Sequence, residues 1–296
     1  ALLAARFAVA AAHVLPPKRG RPVAFETPGG KLSEEACARA VLAGATRIVT
    51  KGMRYADGDE IRVRMMSRAL AQKPGNDTLL YVPDDSSLSF AGAFGKAAKT
   101  LRDSGYCYDY VTSAVLTNEF GTSRYRTLFV PALTRSLPTP VFERLAKLAE
   151  SGWTVLCEGG LPNAPGALRR DLSAKMKRGE LRHGKGRFVA GSLRELVERP
   201  NPARRERLSG LAKVRMARFS ARDGSWYFIH NPGKAAADLE GRFAGVGKVK
   251  SAVAMYVFSG RVDVLPARED GTLRLTVPPT ESLWAFVSPH RLKEER

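Results

Sequence analysis

Cysteine is scarce in this chain of 296 residues: Cys37, Cys107 and Cys157 stand far apart and are odd in number. That spacing excludes a disulfide framework and a cysteine metal cluster, although it leaves export open. Long apolar runs are missing too. No stretch approaches the roughly 18 apolar residues of a membrane span. Of the four histidines, His183, His230 and His290 have no metal-ligand spacing among them, so no metal is expected. Gly159-Gly160 and Gly184-Lys185-Gly186 are turns without phosphate-loop spacing, and no cofactor motif is present. Acidic residues are few, with 29 Asp or Glu against 48 Lys or Arg, for a net charge of +19.

That balance favours an anionic partner such as nucleic acid, an acidic polysaccharide or a charged surface. The excess is concentrated from Arg169 to Arg222, where 17 Lys or Arg face 5 Asp or Glu. These cations are scattered among Leu, Gly and Ala, with few aromatics on which bases could stack. A solvated basic face accounts for them better than a nucleic-acid surface. Residues 1–25 carry Arg6, Lys18, Arg19 and Arg21, no acid and many alanines, in the manner of a mitochondrial transit peptide. Because the chain starts with Ala, it is expected to be processed or to be a piece of something longer. No feature assigns it to a compartment.

Hydropathy patterning divides the chain into three. Residues 1–60 read as a β-α-β unit. An Ala-rich helix over 4–14 ends at Pro16-Pro17, and a short strand over 21–27 stops at Pro28-Gly29-Gly30. A helix capped by Ser33, with Glu34 and Glu35 in its first turn, then runs to Gly44. A second strand follows over 46–50. Residues 61–200 alternate apolar strands with helices: strands at 78–83, 108–111, 127–131, 153–157 and 186–191, and helices at 91–104, 139–151 and up to about 199. This alternation predicts a doubly wound, flavodoxin-like α/β domain. The Pro200-Asn201-Pro202 stretch reads as a linker.

Residues 201–296 read as an antiparallel β-sandwich. Strand candidates at 214–222 and 226–230 form a hairpin joined across Asp223-Gly224. Further short runs at 260–266, 271–279 and 281–287 are each bounded by Gly, Pro or acidic residues. The fold class is thus α/β followed by all-β.

The order of these parts resembles the C-terminal part of a multidomain glycoside hydrolase, most closely the family 106 α-L-rhamnosidases and more distantly the family 42 β-galactosidases. The likeness is carried by Ala10-Ala11-Ala12-His13 and Pro22-Val23-Ala24-Phe25-Glu26-Thr27, similar to a late barrel helix and the strand bearing a family glutamate. Ala43-Gly44-Ala45-Thr46-Arg47-Ile48-Val49 resembles the turn into the last barrel strand. Tyr125-Arg126-Thr127-Leu128-Phe129-Val130-Pro131 and the stretch 145–152 resemble the signature of the middle domain. The resemblance implies that residues 1–60 are the remnant of a (β/α)8 barrel. Two features depart from the pattern. Thr50-Lys51-Gly52-Met53 stands where a histidine is expected, and only about two of eight barrel strands are present.

Under that resemblance Glu26 is the candidate catalytic residue, a carboxylate at the barrel mouth acting as nucleophile or general base. Lys51, Arg54 and Tyr55 are candidates for binding sugar hydroxyls, with an ordinary loop as the alternative. Cys157, before Glu158-Gly159-Gly160, invites comparison with an amidotransferase nucleophile, but its flanking residues and the lack of a downstream partner favour a buried strand cysteine. Asp84 and Asp85 follow the first strand of the middle domain, and Trp226, Tyr227 and Trp284 are candidates for sugar stacking or for core packing.

Three function classes remain open from sequence. One is a glycoside hydrolase region with a carbohydrate substrate and a further chain or subunit completing the barrel. The second is a non-catalytic carbohydrate-binding or scaffold relative. The third is a basic RNA-associated protein.

Overall fold

The computed structural model describes residues 24–27, 38, 41–42, 47–50, 73–82, 88–118, 124–132, 136–199, 205–244, 248–257 and 259–290. Two compact units are present. One draws on Arg21–Gly75 and Arg205–Arg296, the other on Asn76–Arg204.

The first unit begins with strands β1 (Ala24–Thr27) and β2 (Arg47–Thr50), paired in parallel, with helical residues Ala38, Val41 and Leu42 between them. Parallel neighbours need such a crossover, because a tight turn only reverses the chain. Strand β3 (Lys73–Pro74) then joins the sheet built by the C-terminal segment. The proline sits in the edge strand, where a missing N–H costs no ladder bond. The helices expected over 4–14 and from Ser33 lie outside the described residues, apart from Ala38, Val41 and Leu42.

The second unit is a six-stranded sheet. Its strands are β4 (Thr78–Val82), β5 (Tyr108–Thr112), β6 (Thr127–Val130), β7 (Thr154–Glu158), β8 (Glu180–His183) and β9 (Gly186–Gly191). They lie in the order β5-β4-β6-β7-β9-β8, parallel except for β8, which pairs antiparallel to β9 at the edge. Helices α1 (Leu88–Asp103), α2 (Ser113–Thr117), α3 (Thr139–Glu150), α4 (Ala167–Lys175) and α5 (Leu193–Glu198) connect them.

Strands β4 and β6 are buried at every position, as expected for a parallel sheet covered on both faces. Leu79, Leu128, Val155 and Phe188 share a core with Val141, Phe142, Leu145 and Leu148 of α3. The alternate positions Leu80, Phe129, Leu156 and Val189 are also buried, on the opposite face, where α5 packs on β7 and β9 and against α1.

Local sequence explains the helix ends. Pro140 lies in the first turn of α3, where its missing N–H is harmless, and Gly152 follows the helix at φ 110°. In α5 the Ser192 hydroxyl accepts from the Glu195 N–H, and the Glu195 carboxylate accepts from the Ser192 N–H at 2.7 Å.

The C-terminal segment supplies β10 (Arg207–Leu208), a 3-10 turn (Leu211–Lys213), β11 (Arg215–Ala221), β12 (Gly224–His230), β13 (Ala237–Arg242), β14 (Ser251–Tyr256), β15 (Val262–Pro266), β16 (Leu273–Val277) and β17 (Ser282–Ser288). All their pairings are antiparallel, in a three-stranded sheet β10-β13-β16 and a six-stranded sheet β15-β14-β17-β12-β11-β3. Between the sheets lie Tyr227, Ile229, Leu239, Leu275, Leu283 and Val287. The larger sheet is also covered on its outer face, where Phe219, Phe228 and Trp284 pack with Ala38 and Val41. That double burial is why β12 reads as a near-continuous apolar run instead of a clean alternation.

The hairpin expected across Asp223-Gly224 turns one residue earlier, at Arg222-Asp223, because Gly224 already pairs with Ala221. A Cβ on Gly224 would stand 2.3 Å from the Val287 carbonyl oxygen, so close approach of the β17 backbone sets the glycine there. Two further elements, α4 and β8, lack a sequence signal. Leu172 is the one buried residue of α4, and no position of β8 is fully buried.

Candidate functional site

Glu26 is the third residue of β1 and stands opposite Val49 of β2. Thr27 is level with Thr50, so both strands end at the same height. Carboxyl edges of parallel α/β sheets are where ligand sites are built, because the loops there converge while the strands fix their origins. The backbone therefore places Glu26 one residue before the carboxyl end of β1, level with Val49. Lys51, Arg54 and Tyr55 lie outside the described residues. Glu26 is the one carboxylate within β1 and β2.

A second carboxyl edge belongs to the six-stranded sheet of the other unit. The strand order reverses around β4, with β5 on one side and β6 on the other, which makes the β4–β6 crevice a topological switch point. Near that edge the Tyr81 hydroxyl is 2.7 Å from the Ser113 hydroxyl, both buried. One strand further, the Glu158 carboxylate accepts the Ala132 N–H at 3.1 Å and thereby ties the end of β7 to the chain leaving β6. Asp84 and Asp85 lie outside the described residues.

Cys157 is fully buried beside Glu158, and burial pushes its thiol up to about 12. A nucleophilic cysteine needs the opposite shift, so Cys157 is a packing residue of β7.

The aromatic candidates divide by face. Tyr227 points into the sandwich and donates its hydroxyl to Glu206 at 3.4 Å. Trp284 lies 2% exposed on the outer face of the larger sheet, 4.9 Å from the Phe228 ring. Trp226 is half-buried between Trp284 and Phe286, the latter 4.8 Å away. All three are packing residues first. His230 is buried too, with Nδ1 2.9 Å from the Ser282 hydroxyl. Among the described residues, no three His, Cys, Asp or Glu side chains converge as metal ligands would.

Sequence reading missed one polar centre. The Arg218 guanidinium, 3% exposed, donates to Glu206 at 3.3 Å and to the Gly75 carbonyl at 2.9 Å. Glu206 also accepts the Ala244 N–H and the Tyr227 hydroxyl. A charge pair this deep persists because each member has further hydrogen-bond partners, the Gly75 carbonyl for Arg218 and the Ala244 N–H and Tyr227 hydroxyl for Glu206. Its sequence signal, two charges within a run of exposed ones, is indistinguishable from the solvated background.

No protein-family model matches the chain, and no curated protein matches it. Solved structures do match its fold. A rhamnosidase from Novosphingobium sp. PP1Y superposes with a TM-score of 0.72 at 17% identity, over 99% of this chain and 34% of its own. A β-galactosidase from Bacillus circulans sp. alkalophilus gives 0.55 at 10% identity, over 84% of this chain and 51% of its own. A β-galactosidase from Rahnella sp. R3 gives 0.54 at 12% identity, over 97% and 58%. The chain thus spans about a third of the rhamnosidase's length and little more than half of the galactosidases'. At such identities the likeness is one of fold. This chain therefore has a glycoside-hydrolase-like fold.

Proposed function

We propose that this chain is a region of a glycoside hydrolase of the α-L-rhamnosidase kind, cleaving O-glycosidic bonds once joined to the remaining strands of a (β/α)8 barrel. The observation that carries this reading is the match to the rhamnosidase across 99% of the chain at a TM-score of 0.72. In this reading residues 1–60 are the last part of the barrel. Residues 61–200 form the flavodoxin-like domain, supported by the strand order β5-β4-β6-β7-β9, and residues 201–296 form the closing sandwich.

Glu26 then supplies one of the two carboxylates. It either attacks the anomeric carbon or takes a proton from the attacking water, while the partner carboxylic acid protonates the leaving oxygen. The partner acid comes from an earlier barrel strand, on a further stretch of chain or another subunit. Lys51, Arg54 and Tyr55 line the mouth and bind sugar hydroxyls. The substrate is a carbohydrate, and no cofactor takes part.

Hydrolysis of a p-nitrophenyl glycoside panel by the protein as naturally expressed tests this. Turnover is expected on the α-L-rhamnoside, and Glu26→Gln is expected to lower kcat by about 10²- to 10⁴-fold with the fold unchanged. Unaltered kcat in Glu26→Gln would remove Glu26 from the chemistry. Sugar binding without turnover on any member of the panel would replace the reading with a non-catalytic carbohydrate-binding one.

A further inference from the structure

On the α1–α5 face of the six-stranded sheet, a cavity of about 520 Å³ opens beside β8 and β9. Its apolar floor is Leu156 and Val189, both buried residues of adjacent strands. Its rim carries Lys177, Arg178, Arg187 and Arg199, four cations against one carboxylate, Glu180. That carboxylate is already engaged by Arg187 at 2.9 Å. Lys177 and Arg178 make no side-chain hydrogen bond or ion pair among the described residues.

The rim is held firmly. Lys177 and Glu180 exchange backbone hydrogen bonds of 3.0 and 2.9 Å around a two-residue turn, Arg178-Gly179, and both turn residues have positive φ, 50° and 74°. This is the geometry of a type I′ turn, which favours Asn or Gly at its first position, and an arginine there is unfavourable by about 1–2 kcal/mol. The Gly179 carbonyl accepts the Ala190 N–H at 2.6 Å, which fastens the turn to β9. A Cβ on Gly179 would stand 2.5 Å from the Ala190 carbonyl oxygen, so no other residue fits there without displacement. Arg178 is thus set at a fixed position on the rim, in a backbone conformation that its own side chain does not prefer.

We propose that this cavity binds a small organic molecule carrying an oxyanion, a carboxylate, sulfate or phosphate group. The anion is held by Lys177 and Arg178, and the organic body lies over Leu156 and Val189. Guanidinium and ammonium groups recognise such anions by charge-assisted hydrogen bonds, and the volume lies within the range of small-molecule sites. No aromatic side chain lines the cavity, so the stacking that holds single-stranded nucleic acid is missing.

Calorimetric titration at constant ionic strength tests the proposal, with inorganic phosphate, inorganic sulfate, glucose 6-phosphate, glucuronate and neutral glucose as probes. Saturable binding of glucose 6-phosphate or glucuronate is expected, with glucose silent. Lys177→Ala and Arg178→Asn are each expected to weaken binding by about tenfold or more. Asn tolerates the positive φ, so the turn is retained, and a thermal melt checks that both variants are folded. Arg194→Ala, an exposed cation on α5 paired with Glu198, serves as the control and is expected to bind as the parent does. Equal weakening by Arg194→Ala, unchanged affinity in Arg178→Asn, or no saturable binding of any anionic probe would each overturn the proposal.

Discussion

Cys157 carries a single ionisable group whose environment changes completely on folding. In the folded chain its thiol is buried and its pKa stands at about 12, against an ordinary value of 9.0. Between those values the folded state keeps a proton that the unfolded chain releases. Its contribution to stability is therefore complete below about pH 9 and is lost as pH rises toward 12. Urea unfolding at pH 9 and pH 10 is expected to show the parent losing about 1 kcal/mol more than Cys157→Ala over that interval. Identical losses would mean that the thiol is hydrated in the folded state. Cys157 was legible from its place at the end of an apolar strand. The buried pair of Glu206 and Arg218 was not, because whether a charge is solvated or enclosed depends on which strands close over it.

Elements differ in how much room their glycines have, and this separates two substitutions that look alike in sequence. Gly186 opens β9, where a Cβ would stand 2.2 Å from the Trp153 carbonyl oxygen and 2.4 Å from that of Ala149. Gly95 lies in the middle of α1 with nothing within 4 Å of its notional Cβ. Gly186→Ala is expected to cost about 1–3 kcal/mol through overpacking, whereas Gly95→Ala is expected to add about 0.5–1 kcal/mol through helix propensity. Denaturant midpoints of the two variants check both signs, and stabilisation by Gly186→Ala would contradict the close approach of β9 to α3. At this scale the sequence was readable in several elements where apolar residues recur with a period, although β13 and β14, the latter alternately buried, were not among the strand candidates. The strands β4, β6 and β7 and the helix α3 stood out for that reason. The helix α4 and the strand β8 did not, since almost none of their residues are buried.

At the scale of the whole molecule, the two units have separate cores, one around β4, β6, β7 and α3 and the other between the sandwich sheets. Separate cores predict that equilibrium unfolding is not two-state. Trp153 reports on one unit, and Trp226 and Trp284 report on the other. Urea titration followed by tryptophan fluorescence is expected to resolve two transitions, one of which disappears from the signal in Trp153→Phe. A single transition coincident for all probes would show that the units unfold as one.

Residue type and order are enough for most of the alternation of strands and helices over 78–199, though not for α4 and β8, and for the all-β character of the tail and the large positive charge. Each of these depends on residue type and short-range period alone. The resemblance carried by Glu26 and its neighbours also came from sequence, and the likeness of fold to glycoside hydrolases is consistent with it. It takes the folded chain to show that Lys73–Pro74 joins the sandwich, that β12 is covered on both faces, and that Glu206 finds Arg218. The same fold gathers four of the scattered cations around one apolar floor. Those outcomes depend on contacts between residues distant in sequence, and a local pattern carries no information about which distant partner closes over it.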